Sequence, residues 1–258
     1  MEKLLVRDIS MIFRSNEREV VALRNINFSV PAHEFASIVG PSGCGKSSLL
    51  YIIGNLIQPS EGEILIDGIP SDRASISRGF VFQEYALFPW KTIIENIEFG
   101  LKIRKRSAAE RQKIARDHIE LVGLKGFEDH YPHELSGGMK QRAAIARALA
   151  YNPDILLMDE PFGSLDSQTR VILQKELLNI WNKTKKTIIF VTHSVEEAIV
   201  LSDRVLILTF RPGSIKVDIK IDLPRPRDLN DLMLTQEFNS YRHEVWEYLR
   251  EEVDKTST

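Results

Sequence analysis

The sequence predicts an α/β fold: a largely parallel sheet flanked by helices, preceded by antiparallel strands and interrupted by a helical insert. Three observations predict it. The apolar run Phe35-Ala36-Ser37-Ile38-Val39 leads into a glycine-rich turn and then into Ser48-Leu49-Leu50-Tyr51-Ile52-Ile53, which gives the order strand, glycine loop, helix. Two further apolar runs, residues 154–159 and 187–192, alternate with helical patterns, as the strands of a covered parallel sheet do. Residues 84–152, between the glycine loop and these runs, carry only helix and loop patterns.

Composition sets the outer limits. The chain has 258 residues, 43% apolar and 27% charged, with a net charge of −2. That length can bury one large α/β core or two small ones. No apolar run approaches the ~18 residues that span a bilayer. The start Met1-Glu2-Lys3-Leu4-Leu5 has no leader-like stretch, so the chain is expected to stay in the cytosol. The near-neutral charge lacks the basic footprint of a nucleic-acid binder. A single cysteine, Cys44, excludes an intrachain disulfide and a multi-cysteine metal site.

In order along the chain, residues 4–13 and 26–30 read as strands, with a polar turn around residues 15–18. Residues 63–67 alternate and are closed by Gly62 and Gly68, which suggests another antiparallel strand. Residues 79–83 form a short buried strand. In the helical insert, Ser107-Ala108-Ala109-Glu110 is a capping box, followed by Ala115, Ile119 and Val122 at helical spacing and Gly123 as a stop. A second helix runs from about Gly138 through Ala143, Ile145 and Leu149 and ends before Pro153. Strand 154–159 is followed by a helix over residues 166–181, with Leu173, Leu177, Ile180 and Trp181 inward. After strand 187–192, Ser194 with Glu197 makes another capping box. Strands at 204–210 and 216–223 follow. Pro224-Arg225-Pro226 breaks the pattern, and Phe238, Tyr241, Val245 and Leu249 then recur at helical spacing, a terminal helix packed on the body. There is no internal repeat.

The chemistry begins at Gly40-Pro41-Ser42-Gly43-Cys44-Gly45-Lys46-Ser47 and continues into Ser48. Between a strand and a helix this is a phosphate-binding P-loop. Glycines permit conformations in which successive N–H groups converge on phosphate oxygens, and the helix start adds its positive dipole end. Lys46 places a charge on the terminal phosphates, and Ser47 can ligate Mg²⁺. Cys44 reads as a small filler. A helix N-terminus can lower a thiol pKa, so a thiol reagent is expected to block nucleotide binding unless ATP protects. At the end of strand 154–159, Asp159 suits Mg²⁺, and Glu160 suits the orientation and deprotonation of an attacking water. Gln83 and His193 also sit at strand ends, where an amide can reach the metal or water and an imidazole can sense the terminal phosphate. Ser136-Gly137-Gly138 opens a second glycine-containing helix start, with Ser136 able to donate to phosphate.

These motifs, in this order, resemble the nucleotide-binding subunits of ATP-binding cassette (ABC) transporters over almost the whole chain. Residues 40–47 resemble Walker A, residues 155–159 Walker B, Glu160 the catalytic glutamate and Gln83 the Q-loop. Residues 135–139 resemble the family signature, Ser164-Leu165-Asp166 the D-loop, and His193 the switch histidine. The resemblance implies a P-loop NTPase (RecA-like) core with an N-terminal antiparallel β subdomain and an inserted α-helical subdomain. It places the core at residues 1–83 and 153–223, the helical signature subdomain at 84–152 and a C-terminal extension at 224–258. It further implies ATP hydrolysis with Mg²⁺ held by Ser47, Gln83 and Asp159, and a head-to-tail homodimer. In that dimer each ATP lies between the P-loop of one copy and Ser136, Gly137, Gly138 and the D-loop Asp166 of the other. Three departures stand out: Met139 where the signature has Gln, Phe13 where a Tyr commonly stacks on adenine, and His33 where a glycine is usual.

Leu87-Phe88-Pro89-Trp90 is either core of the insert or an aromatic groove. In the family, residues 86–90, from Ala86 onward, receive the coupling helix of a membrane permease. Arg211-Pro212-Gly213-Ser214-Ile215 and residues 223–228, with the terminal helix, resemble importer cassettes for nitrate, sulfonates and taurine. The implied setting is the cytoplasmic face of the inner membrane, peripheral to a permease and indirectly served by a periplasmic or extracellular solute-binding protein, with no nucleic acid. The basic run at residues 102–106 reads as a solvated face. The competing class is a soluble ABC ATPase acting on nucleic acid or ribosomes, which usually carries two cassettes or a long inserted coiled coil. A P-loop kinase leaves the signature and His193 unexplained.

Overall fold

The computed structural model describes residues 2–15, 18–72 and 78–254. Asn16 and Glu17 of the expected polar turn lie outside the described residues. In chain order the elements are β1 (Glu2–Ser15), β2 (Arg18–Pro31), β3 (Phe35–Val39), α1 (Lys46–Ile53), β4 (Glu61–Ile66), β5 (Ile69–Pro70), β6 (Arg78–Val81), α2 (Ile93–Ile103), α3 (Ala108–Leu121), a 3-10 turn at Pro132–Glu134, α4 (Gly137–Ala150), β7 (Ile155–Asp159), α5 (Ser167–Thr184), β8 (Thr187–Val191), α6 (Val195–Leu201), β9 (Arg204–Leu208), β10 (Ile215–Lys220), α7 (Leu229–Leu232) and α8 (Gln236–Asp254). They fall into two compact units: residues up to 72 together with 186 onward, and residues 78–185. β7 and α5 thus cluster with the helices, where the sequence reading groups residues 153–223 with the loop-bearing core. No helix among the described residues is long and apolar enough to cross a membrane.

In the first unit, β3 pairs in parallel with β8 and with β9, and β10 joins β9 antiparallel. Every residue of β3 and β8 is buried, which is why both read as unbroken apolar runs rather than alternating ones. Phe35 and Phe190 meet across the pair with ring centroids 5.8 Å apart, and Leu49, Leu50 and Ile53 of α1 complete this core. The antiparallel sheet runs in the order β2-β1-β4-β5. Gly62 was expected to close β4 but lies inside it, at φ +87, and a Cβ there would strike the carbonyls of Arg7 and Asp8. The β1 register shifts between Arg7 and Ser10, so Gly62 serves a bulge and the strand begins before the alternating run.

The C-terminal segment is anchored by polar as well as apolar contacts. Phe238, Val245 and Leu249 of α8 are buried as expected, while Tyr241 accepts the Asp222 N–H through its hydroxyl at 3.1 Å. Arg227 is buried, and its Nη1 donates to the carbonyls of Ile199, Val200 and Ser202 at 3.0, 2.9 and 2.7 Å. Those oxygens lie at the end of α6, where a helix leaves its last carbonyls without partners. Burial pushes the Arg227 pKa down to about 10.

The second unit holds the parallel pair β6 and β7 and the helices α2 to α5. Capping boxes open α2 at Thr92 and Glu95 and α3 at Ser107 and Glu110. Ala143, Ala144, Ile145, Ala148 and Leu149 form the buried face of α4, and Leu173, Leu177, Ile180 and Trp181 that of α5, both as expected.

Candidate functional site

The loop after β3 is shaped by two glycines with left-handed backbones, Gly43 at φ +72 and Gly45 at φ +104. A Cβ on Gly45 would come within 2.6 Å of the Leu23 side chain and 3.0 Å of the Ala22 carbonyl, so only glycine lets the loop press against β2. Gly45 is also the N-cap of α1 and supplies no side-chain cap. The first-turn N–H groups of α1 are therefore left without a side-chain competitor, an arrangement that can bind an anion. Lys46 is buried, and its ammonium donates to the carbonyls of Gly40 at 2.8 Å and Pro41 at 3.0 Å. The cation is thus held at the concave side of the loop. Ser47 and Ser48 lie half-buried in the first turn, with Ser42 exposed at the rim.

Cys44 is placed as the small filler that its sequence position suggests, against the alternative of a reactive thiol. It is fully buried, and burial pushes its pKa up despite the nearby Lys46 charge. A Cβ on Gly40 would lie 2.8 Å from its sulfur. Cys44 is packing inside the loop, and a helix start does not activate a thiol that water cannot reach.

Asp159 ends β7 and is buried. Glu160, half-buried, has φ +41, a left-handed conformation that costs a residue other than glycine about 1–2 kcal/mol. Its carbonyl accepts the Gly163 N–H at 3.1 Å. A Cβ on Gly163 would lie 3.7 Å from Glu160 Oε2 and 3.8 Å from Gln83 Nε2, so carboxylate and amide converge beside one glycine. Gln83 lies two residues beyond β6 and is exposed, rather than ending the strand itself.

His193 is exposed between β8 and α6. Its turn is tied by Thr192, whose hydroxyl donates to Glu197 Oε2 at 2.6 Å and accepts the Ser194 N–H at 3.0 Å. The expected capping box forms by half: Ser194 accepts the Glu197 N–H at 3.2 Å, while the Glu197 carboxylate is taken by Thr192. His33, where a glycine is usual, has φ +67, the conformation that explains that preference.

Ser136 is the N-cap of α4 and accepts the Met139 N–H at 3.4 Å. A Cβ on Gly137 would lie 3.2 Å from the Tyr85 hydroxyl, and one on Gly138 2.7 Å from Thr169 Cγ2. Asp166 caps α5 by accepting the N–H groups of Gln168 and Thr169 at 3.1 and 3.0 Å, and these bonds hold its carboxyl below the usual range. Phe13 lies on β1 opposite Val20 and is 44% exposed.

Two residues that sequence reasoning missed shape the stretch at 84–92. Arg147 of α4 donates to the carbonyls of Ala86 at 2.5 Å and Tyr85 at 3.1 Å, both residues having positive φ. Fully buried Asn96 of α2 accepts the Phe88 N–H at 2.8 Å and donates to the carbonyls of Lys91 and Thr92. A polar residue on the apolar face made by Ile93, Ile97 and Leu101 was the available signal. Phe88 packs half-buried on Phe99, while Trp90 is 71% exposed, so this stretch is partly core and partly surface.

A family model described as ABC transporter matches residues 23–163. An ABC transporter ATP-binding protein of Methanocaldococcus jannaschii, MJ0412, is 53% identical over 98% of this chain and 94% of its own. An aliphatic sulfonates import ATP-binding protein of Bacillus cereus, SsuB, is 46% identical over 93% of each. Among solved structures, the dimeric post-hydrolysis state of the ATP-binding cassette MJ0796, bound to ADP and Pi, superposes with a TM-score of 0.76 at 35% identity. That match covers 86% of this chain and all of that one. Matched by the family model over more than half its length and by a relative along nearly all of it, the chain belongs to the ABC transporter family as an ATP-binding subunit with ATPase activity.

Proposed function

We propose that this subunit hydrolyses ATP to energise import of a small anion, a sulfonate, taurine or nitrate, as the nucleotide-binding part of a transporter at the cytoplasmic face of the membrane. The carrying observation for the solute class is the 46% identity, over 93% of both chains, to a protein named for aliphatic sulfonate import. The exposed Trp90 beside Phe88 supports residues 86–90 as the permease contact, and a solute-binding protein would act through that permease. Residues 84–152 would serve as the signature subdomain and 224–258 as an extension of the core.

Within this reading, Lys46 leaves the carbonyls of Gly40 and Pro41 for the β- and γ-phosphates, and the N–H groups at the start of α1 hold the same oxygens. Phe13 stacks on the adenine. Glu160 orients and deprotonates the attacking water, with Gln83 and His193 placing that water and the terminal phosphate. Ser47, Asp159 and Gln83 offer the hard oxygen donors that Mg²⁺ takes, and the bound ion would neutralise charge on the phosphates. A second copy, head to tail, brings Ser136, Gly137, Gly138 and Asp166 over the ATP, a reading supported by the dimer of the MJ0796 cassette. Closing on ATP and opening after hydrolysis would rock the permease.

Two measurements test this. Glu160→Gln should retain ATP, trap a closed dimer on size exclusion and abolish turnover; hydrolysis at the normal rate would show that another group is the base. Purification of the tagged chain from detergent-solubilised membranes should recover a polytopic permease. Recovery of ribosomes or DNA instead would overturn the transport reading in favour of a soluble ATPase.

A further inference from the structure

The turn joining β9 to β10 is closed by its own polar groups. Thr209 N–H donates to the Ser214 carbonyl, Ser214 N–H to Thr209 Oγ1, and the Thr209 hydroxyl to the Pro212 carbonyl, each at 2.9 Å. Gly213 fastens the turn to β2, donating to the Ala22 carbonyl and accepting the Arg24 N–H, both at 2.9 Å. A Cβ on Gly213 would collide with the Cys44 carbonyl, so the turn lies directly against the phosphate loop. From this platform Arg211 Nε donates to the Gly43 carbonyl at 2.9 Å.

That bond acts on one peptide plane. In a trans peptide the C=O and the following N–H point in opposite directions, so holding the Gly43 carbonyl toward Arg211 turns the Cys44 N–H inward. There it donates to the Pro41 carbonyl at 3.3 Å, a long bond that a phosphate oxygen can replace. Gly43, at φ +72, has no Cβ to resist rotation of this peptide. Arg211 supplies the restraint from outside the loop.

The last turn of α8 reaches the same place. Glu252 is buried and accepts the Phe210 N–H at 3.0 Å and the Lys216 ammonium at 2.8 Å, gripping the turn on both sides of Arg211.

We propose that Arg211 is a positioning residue for the nucleotide: it orients the Gly43–Cys44 peptide so that the Cys44 N–H faces the phosphates, and the C-terminal helix sets its place through Glu252. The inference rests on the reading of residues 40–47 as the ATP phosphate site. The full chain is titrated with ATP by calorimetry, with steady-state KM and kcat measured alongside. Arg211→Met, which keeps the stem and loses the donor, should weaken ATP binding about ten-fold and raise KM in step while kcat stays within about two-fold. Arg211→Lys, still a donor, should recover most of the affinity. Glu252→Ala should weaken binding about three-fold alone and add little to Arg211→Met, because both act through one peptide; Glu252→Gln, whose amide oxygen still accepts from Phe210, should restore it. Unchanged affinity in Arg211→Met, or additive losses in the double variant, would overturn the proposal. Lys46→Ala separates the two readings: if it binds ATP normally the phosphate site itself is wrong, whereas its failure beside a normal Arg211→Met rejects Arg211 alone. Should Arg211→Met not fold, hydrogen exchange at the Cys44 amide of Arg211→Leu, which also lacks a donor, replaces it, faster than wild type if the bond holds the peptide and equal if it does not.

Discussion

The two glycine-containing helix starts, those of α1 and α4, are finished in opposite ways. Gly45 caps α1 with backbone alone, whereas Ser136 caps α4 with a hydroxyl that already accepts the Met139 N–H. The first end therefore keeps its donors for an anion, and Lys46 adds a full charge to them. The second end has used a donor on itself and offers what remains: the other N–H groups, the hydroxyl proton of Ser136 and the helix dipole. Their glycines differ accordingly. Gly43 and Gly45 of the first loop are demanded by positive φ, while Gly138 is demanded by a neighbour, the Thr169 methyl, and Gly137 sits close to the Tyr85 hydroxyl. On the proposed reading, the end with a bare cap and a lysine holds the nucleotide and the self-capped end completes that site from a second copy.

The strongest way to break this asymmetry is Lys46→Ala. It removes the one full charge of the α1 end, and a charge-assisted contact to phosphate lost from a partly desolvated site weakens ATP binding on the order of a hundred-fold. Calorimetric titration reads it directly. The carbonyls of Gly40 and Pro41 also lose the Lys46 ammonium, Pro41 keeping the Cys44 N–H, and a buried carbonyl left without a donor costs about 1–3 kcal/mol. A parallel melt without nucleotide separates that stability effect from the binding effect. Affinity within a few-fold of wild type would show that residues 40–47 are not the phosphate site, and the contrast between the two ends would then have no bearing on the nucleotide.

Much of this arrangement was legible in the chain because it is written in local terms. The strands β3, β7 and β8 are buried on both faces and so appear as unbroken apolar runs. Helix starts at Ser107, Ser136 and Ser194 carry their capping residues beside them. Side chains whose partners are distant backbone groups were not legible. Arg147, Arg227 and Glu252 bind carbonyls or an N–H, which every residue possesses, so sequence pattern cannot tell which one is meant. Arg211 and residues 223–228 show the limit well. They stood out as features shared with anion importers, yet in the structure Arg211 grips the Gly43 carbonyl while Arg225 and Arg227 clasp the end of α6. Glu197 and Gly62 mark the reverse error, in which a local rule of capping or strand closure gave way to Thr192 in one case and to a β-bulge in the other.

The gentlest test of the comparison is Ser136→Ala. Loss of an N-cap hydroxyl costs about 1 kcal/mol of helix stability, and α4 is held by a long buried alanine face, so the fold should survive with a melting temperature only a few degrees lower. Equilibrium titration of a single copy with ATP should be unchanged, because nothing at the α1 end has moved. The deficit should appear where a second copy must close over the same nucleotide. At low protein concentration the ATPase rate should fall several-fold, and raising the concentration should recover part of it. In the Glu160→Gln background, Ser136→Ala should shift the ATP-induced dimer toward monomer on size exclusion. An equal loss of affinity in isolated copies would mean that both helix starts serve one chain's own nucleotide. The opposite finishes of α1 and α4 would then reflect packing around Gly137 and Gly138 rather than a division of labour between two subunits.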